Sequence, residues 1–248
     1  MKIYITNLPR CRDRREHMLR ECARFDLEAE VFSGIEGKDL TEAELKELVF
    51  APERNKLSRG EIGATLCHNG IYRDMMEKNI PIALVLEDDS VFNQDPRPLL
   101  DELERQTTGA PEVFLLTNRA NRYIDHGTPR QIGNTKFHHA WNATGANGYV
   151  ITGKAAANIY AFQTPVRVVC DWWRLFQVNE LIRFYVCEKE IIGLEPELAS
   201  ATLCVDRDAS WGRARRKYIR YVRNQTPFRL RVKYFFFRLR HTFNIRYQ

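Results

Sequence analysis

The sequence predicts an α/β fold: a single domain with a mostly parallel central sheet flanked by helices. Three observations carry this. Strand-length apolar runs alternate with segments of helical period, the pattern of parallel strands joined by crossover helices. Ile82–Leu86 (IALVL) is a continuous apolar run between Pro81 and a group of acids, as in a central strand covered on both faces. The chain has 248 residues, 44% hydrophobic and 28% charged. That suits one globular domain and excludes disordered, collagen-like and coiled-coil chains.

The elements follow in order. Lys2–Thr6 is β-branched and aromatic, a first strand broken by Asn7-Leu8-Pro9. Arg12 to Phe25 carries Met18, Leu19, Cys22 and Phe25 at helical spacing. Glu30–Phe32 is a short second strand stopped by Ser33-Gly34. Thr41-x-x-Glu44 and Ser58-x-x-Glu61 are capping boxes, the second opening a helix that runs to about Glu77. After the Ile82–Leu86 strand, Asp95-Pro96 turns the chain, Leu99–Leu103 is helical and Val113–Leu116 is a further buried strand. Residues 118–145 hold Asn, Gly, Thr, Pro and His without a clean period and read as a long loop. Tyr149–Thr152 is a strand and Lys154–Phe162 a helix. Asp171–Phe184 reads as helical, with Tyr185–Cys187 and Ile191–Ile192 as short strands.

Six cysteines are scattered, with no CxxC and no metal-type spacing. In a chain with this much core material they are expected to be reduced thiols. The N-terminus has no long apolar h-region, and no stretch of 18 apolar residues exists, so neither a signal peptide nor a membrane span is expected. Residues 213–248 contain 12 Lys/Arg and no Asp/Glu. The remainder holds 26 Lys/Arg against all 32 Asp/Glu, a net of −6. A mildly acidic body with a basic-aromatic tail points to a polyanionic partner.

Glu87-Asp88-Asp89 follows the IALVL strand directly. Three acids at the carboxyl end of a buried strand are costly unless a cation balances them, and ligands of open α/β sheets sit at that end. Carboxylates suit Mg²⁺ or Mn²⁺, which bridge to phosphates. The residues therefore read either as a metal site for a nucleoside diphosphate or as a solvated acidic turn. No GxxxxGK[ST] or GxGxxG motif is present to support a nucleotidyl or phosphoryl transferase.

Five segments stand out in order: IYITNLPRCRDRREHM, VFSGIEGKDL (with Gly37), LSRGEIGATLCHNGIYRDMMEKNIPIALVLEDD, ATGANGYVIT and TPVRVVCDWW. Together they resemble glycosyltransferase family 25, the bacterial lipopolysaccharide and lipooligosaccharide transferases related to collagen galactosyltransferases. The resemblance runs to about residue 212. It implies a GT-A-like domain over 1–212 and sugar transfer from a UDP-sugar, galactose first, with inversion. On that pattern Glu87-x-Asp89 is a DxD-like motif. Asp89 would bind Mn²⁺ (or Mg²⁺) across the diphosphate, Glu87 would face the ribose or a metal-bound water, and Asp88 and Gly37 would sit at the donor.

Other candidates carry two readings each. Asn7, Arg12 and Arg14 follow strand one, where a nucleotide would lie, but could also be a solvated helix start. Gly60 and Gly63 permit close packing or ligand access. Glu61 is a capping acid or a donor contact, and His68 a core histidine or a wall of the sugar site. Asp171, before Trp172-Trp173, is either the base that takes the acceptor proton or a helix N-cap. His138 and His139 are acceptor contacts or neither. The tail at 213–248 is an anchor on an anionic membrane or a packed helix with a basic face. With a glycolipid acceptor, the expected place is the cytoplasmic face of the inner membrane. The alternative is a non-catalytic membrane- or RNA-binding protein acting through the tail, though the acidic body makes nucleic acid the poorer partner.

Overall fold

The structure, a computed structural model, describes residues 1–117, 122–124, 129–198, 209–241 and 245–247. The strands are β1 (Lys2–Asn7), β2 (Glu30–Ser33), β3 (Ile82–Glu87), β4 (Ser90–Phe92), β5 (Glu112–Leu115), β6 (Arg122–Ile124), β7 (Arg130–Ile132), β8 (Thr135–Asn142), β9 (Gly148–Thr152), β10 (Arg183–Cys187), β11 (Ile192–Leu194) and β12 (Ile245–Tyr247). The helices are α1 (Arg12–Ala23), α2 (Glu42–Leu48), α3 (Arg59–Glu77), α4 (Arg97–Gln106), α5 (Gly153–Gln163), α6 (Trp173–Val178), α7 (Ala209–Asn224) and α8 (Phe228–His241).

One mixed sheet organises the molecule, in the order β12-β6-β8-β10-β5-β9-β3-β1-β2, with β7 beside β8. Parallel ladders join β1 to β2, β1 to β3 and β5 to β10. β9 runs antiparallel between β3 and β5. Following the ladders, β1, β2, β3, β5, β6, β7 and β10 point one way and β8, β9 and β12 the other. β4 and β11 form a small separate ribbon.

Alternation along the strands explains the layers. In β3, Ala83 and Val85 face one apolar cluster, which also takes in Ile71 and Tyr72 of α3, Ala155 and Ile159 of α5, and Trp173 and Phe176 of α6. Ile82, Leu84 and Leu86 face a second cluster, with Met18 and Cys22 of α1 and Leu99, Leu100 and Leu103 of α4. A strand buried on both faces has no polar side, which is why IALVL is apolar throughout.

Two expectations are corrected. The loop over 118–145 is largely sheet: β7 and β8 form a hairpin turning at Gly133 (φ +54°), and β8 pairs with β10. Phe137 and Ala140 are buried, while His138 and His139, between them, are both half-buried, so the strict alternation of a strand is lost. The strand near the rim of the sheet is held by its ladders, so its polar residues hid it. Parts of that segment, 118–121 and 125–128, lie outside the described residues, as does Cys204. The helix expected over Asp171–Phe184 stops at Val178, because Glu180 takes φ +57° and the chain enters β10 at Arg183. The Asn179 side chain donates to the Leu175 carbonyl and closes the helix end.

The basic segment is in part core. Residue 212 falls inside α7, whose Tyr218 and Val222 are both 2% exposed. The Tyr218 hydroxyl donates to the Arg167 carbonyl (2.6 Å) and accepts from Asn55 (2.8 Å). Removing residues 213–248 is therefore expected to abolish the cooperative melting transition. Tyr218→Ala alone should cost on the order of 3 kcal/mol. A truncated chain that melts as the full-length one does would show these contacts to be dispensable.

Candidate active site

A cleft of about 780 Å³ opens where the carboxyl ends of β1 and β3 meet the first turns of α3. Its walls include Asn7, Arg14, Gly37, His68, Glu87, Asp88 and Asp89. Local chemistry puts them there. β1 and β3 are parallel neighbours with Thr6 opposite Glu87, so Asn7 and the acidic triplet leave the sheet together. The residue just before β9 pins both ends of the triplet: the Asn147 carbonyl accepts from the Glu87 N–H (3.0 Å) and from the hydroxyl of Ser90, which follows Asp89.

The acids are tightly held. Arg14 bridges Asp88 and Asp89, at 2.6 Å from each. Asn7 donates to Asp88 at 2.7 Å and to the Cys11 carbonyl at 2.9 Å. Burial still dominates. It raises Asp88 above the ordinary carboxylate range, against the pull of Arg14 and Asn7. Burial, followed by repulsion from Glu87, pushes Asp89 up to about 6, with Arg14 opposing. The Oδ1 of Asp89 is buried without a hydrogen-bond partner.

Three acids facing one guanidinium leave negative charge uncompensated. Among the described residues no three His, Cys, Asp or Glu side chains form a ready metal cage. An Mg²⁺ or Mn²⁺ site needs less, because such ions keep waters and take phosphate oxygens. Hard carboxylate donors and an orphaned Asp89 oxygen fit such an ion, with Asp89 and Glu87 the residues that would hold it.

The rim has the opposite sign. Arg10, Lys38 and Arg59 line the mouth with a single acid, Glu36, between them; Glu36 faces both Arg10 and Lys38 (4.0 Å), and Arg59 pairs with Glu42 and the Leu40 carbonyl. Sequence reasoning missed these three and Asn147. The available signals were Arg10 beside the Asn-Leu-Pro break and Arg59 directly after the Ser58 cap.

His68 is 2% exposed, with Nδ1 2.7 Å from the Tyr149 hydroxyl, which lies 2.8 Å from that of Tyr72. Its Nε2 is 3.8 Å from Glu87. It is thus both a satisfied core residue and part of the cleft wall. The glycines are packing devices. A Cβ on Gly37 would lie 1.7 Å from the Arg59 carbonyl oxygen, and one on Gly63 2.4 Å from that of Ile35.

Three candidates are placed elsewhere. Arg12 begins α1 and does not line the cleft. Glu61 closes its capping box with Ser58 and accepts from Arg215 of α7 at 2.6 Å, away from the walls. Asp171 caps no helix. α6 starts after Trp172 without a side-chain cap, and the Asp171 carboxylate accepts instead from the Gly145 N–H at 2.8 Å. Burial raises its pKa against the pull of the Gly145 N–H, with Glu87 adding to the rise and His68 opposing it. His138 and His139 lie on β8 against β10, with His138 3.2 Å from Glu188.

Ionised Asp89 costs this fold stability. Its pKa in the folded chain lies above its ordinary value, so the protonated form is the favoured one, and stability falls as pH rises from the ordinary carboxylate range through about 6. Asp89→Asn is therefore expected to melt higher than the parent at pH 8, by on the order of 1–3 kcal/mol. The gap should close toward pH 4. Equal melting at pH 8 would contradict the burial argument.

The sequence model of glycosyltransferase family 25 (LPS biosynthesis protein) matches residues 1–173, more than two thirds of the chain. The chain belongs to glycosyltransferase family 25. The match reaches from β1 through Asp171, so the cleft and the acidic triplet of this family 25 chain fall inside it. A Drosophila melanogaster glycosyltransferase 25 family member is 29% identical over 168 residues, 64% of this chain and 28% of its own length. Homo sapiens procollagen galactosyltransferase 2 is 31% identical over 110 residues, 41% of this chain and 18% of its own. The chain thus spans less than a third of these relatives. Among solved structures, a Bacillus anthracis protein described as a glucose-1-phosphate thymidylyltransferase superposes at TM-score 0.42 with 12% identity, over 86% of this chain and 99% of that one. That likeness is too slight to carry an argument.

Proposed function

We propose that the protein transfers a hexose, galactose first, from a UDP-sugar to a lipooligosaccharide or lipopolysaccharide acceptor with inversion. The observation that carries the reading is the cleft with an acidic floor and a basic rim at the carboxyl ends of β1 and β3. A nucleoside diphosphate with a divalent cation complements that pattern: cation toward Glu87 and Asp89, phosphates toward Arg10, Lys38 and Arg59. Arg14 is placed to exchange its carboxylates for a phosphate once a cation neutralises the floor. Asn7 fixes Asp88 throughout. The Gly37–Gly63 backbone contact keeps one wall free of side chains for the nucleoside. Bound Mn²⁺ or Mg²⁺ would neutralise charge growing on the departing diphosphate.

Inversion needs a base for the acceptor hydroxyl, and Asp171 is the candidate. Burial lifts its proton affinity toward the working pH, which suits a proton acceptor. The acceptor would be presented at the cytoplasmic face of an anionic inner membrane, with the basic segment at 213–248 on the lipid side. The test is a panel of nucleotide-sugars, each incubated with the protein and the lipooligosaccharide acceptor, scored for nucleotide release with and without EDTA. UDP release only with metal and UDP-galactose supports the reading. No release from any donor, with RNA or vesicle binding intact, would favour a non-catalytic binding protein.

A further inference from the structure

α8 is bolted to the body by one side only. Leu230 is buried, the Arg174 side chain donates to the Tyr234 hydroxyl at 2.7 Å and lies over that ring, and Lys233 pairs with Glu180. The other side is bare. Phe228 is 73% exposed, Phe235 56%, Phe236 62% and Leu239 52%. Four of the seven large hydrophobic side chains exposed among the described residues therefore lie on this one helix.

Their spacing makes a stripe. At about 100° per residue, Phe228, Phe235 and Leu239 (i, i+7, i+11) fall within a sector of roughly 40°, with Phe236 at its edge. Leu230 and Tyr234 lie on the opposite side, facing the body. Exposed cations border the stripe on its two sides: Arg229 and Arg231, the latter over the Phe228 ring. No Asp or Glu occurs from residue 213 onward.

We propose that the exposed Phe228–Phe235–Phe236–Leu239 face of α8 docks in the headgroup region of an anionic lipid bilayer, with α8 lying in the membrane plane. The occupant follows from charge and shape. An apolar stripe bordered by cations matches a surface whose apolar interior sits beneath anionic headgroups. A second copy of this face would set like charges against each other with no acid to relieve them. A helix of 14 residues is about 21 Å long, shorter than the ~30 Å hydrocarbon core, so it lies on the bilayer. No described helix is long and apolar enough to cross a membrane. α7 is excluded as the docking element, because its apolar residues Tyr218 and Val222 are already buried in the body. This proposal rests on the membrane-associated part of the functional reading and narrows it from a 36-residue tail to one helix face.

The experiment uses the full chain with phosphatidylcholine vesicles, with and without phosphatidylglycerol, and needs no sugar donor. The parent should sediment with the anionic vesicles, less so as salt rises, with a salt-resistant remainder from the aromatic contact. Phe235→Ser/Phe236→Ser should lose at least about tenfold in partitioning at high salt, with unchanged melting, because both rings are already in water. Arg229→Gln/Arg231→Gln should lose the salt-sensitive part. A parent that ignores anionic vesicles overturns the membrane reading and this proposal together, whether or not it binds a single-stranded oligonucleotide. A parent that binds while the Phe variant binds equally overturns the α8 face alone. Self-association abolished by the same Phe variant, without vesicle binding, would assign the face to a second copy.

Discussion

Asp89→Ala is expected to abolish sugar transfer, by about a thousandfold or more, while the protein stays folded. The side chain stands at the carboxyl end of a fully buried strand, and its backbone carbonyl accepts from the Glu195 N–H whatever the side chain. The fold therefore has little use for the carboxylate; burial even makes its ionised form a burden. What the carboxylate offers is a hard oxygen with no protein partner, aimed where a cation would meet a diphosphate. On the proposed reading Asp89 and Glu87 would hold that cation, and losing one of them would remove stabilisation that grows as the leaving group departs, an effect on kcat more than on KM. The checks are nucleotide release beside a thermal melt. Substantial turnover in the variant, or parental turnover unaffected by EDTA, would remove Asp89 from the metal site.

The second large effect is expected at Asp171. Asp171→Asn should lose roughly 10²–10⁴ in turnover and keep its affinity for the nucleotide-sugar. The amide oxygen still accepts the Gly145 N–H, so the local backbone is preserved. The amide cannot take a proton. Calorimetric donor titration and single-turnover rates separate the two roles. If affinity falls in step with rate, Asp171 belongs to the nucleotide pocket. If neither changes, its work is to hold Gly145, and the base must be sought among the residues that line the cleft.

Much of this was legible in the sequence, because the readable features are local ones. IALVL followed by three acids fixes strand, burial and site in eight residues. Both capping boxes form as their spacing demands, each side chain meeting its partner's backbone. Asn7, Arg14, His68 and the triplet converge because each follows a strand or faces from α3 at one end of the sheet. What was hidden depends on distant partners. β8 is recognisable only beside β10, since its histidines break the alternation that marks a strand. Asp171 looks like a helix cap until Gly145, 26 residues earlier, is seen to claim its carboxylate. Glu61 reads as a local capping acid, and nothing near it in sequence announces Arg215.

That last contact bears on how the molecule could be divided. The family match ends at residue 173. Yet Arg215 reaches back to the acid that starts α3, and Tyr218 closes over Asn55 and Arg167. The family-matched part and the C-terminal helices are thus not interchangeable modules. A chimera joined at residue 173 to another family member's C-terminal portion would need a cation for Glu61 and a hydroxyl for Asn55, or it would loosen the turn from which Ser58, Arg59 and Gly60 line the cleft. Swapping acceptor preference between relatives should therefore begin with exchanges that carry α3 and α7 together.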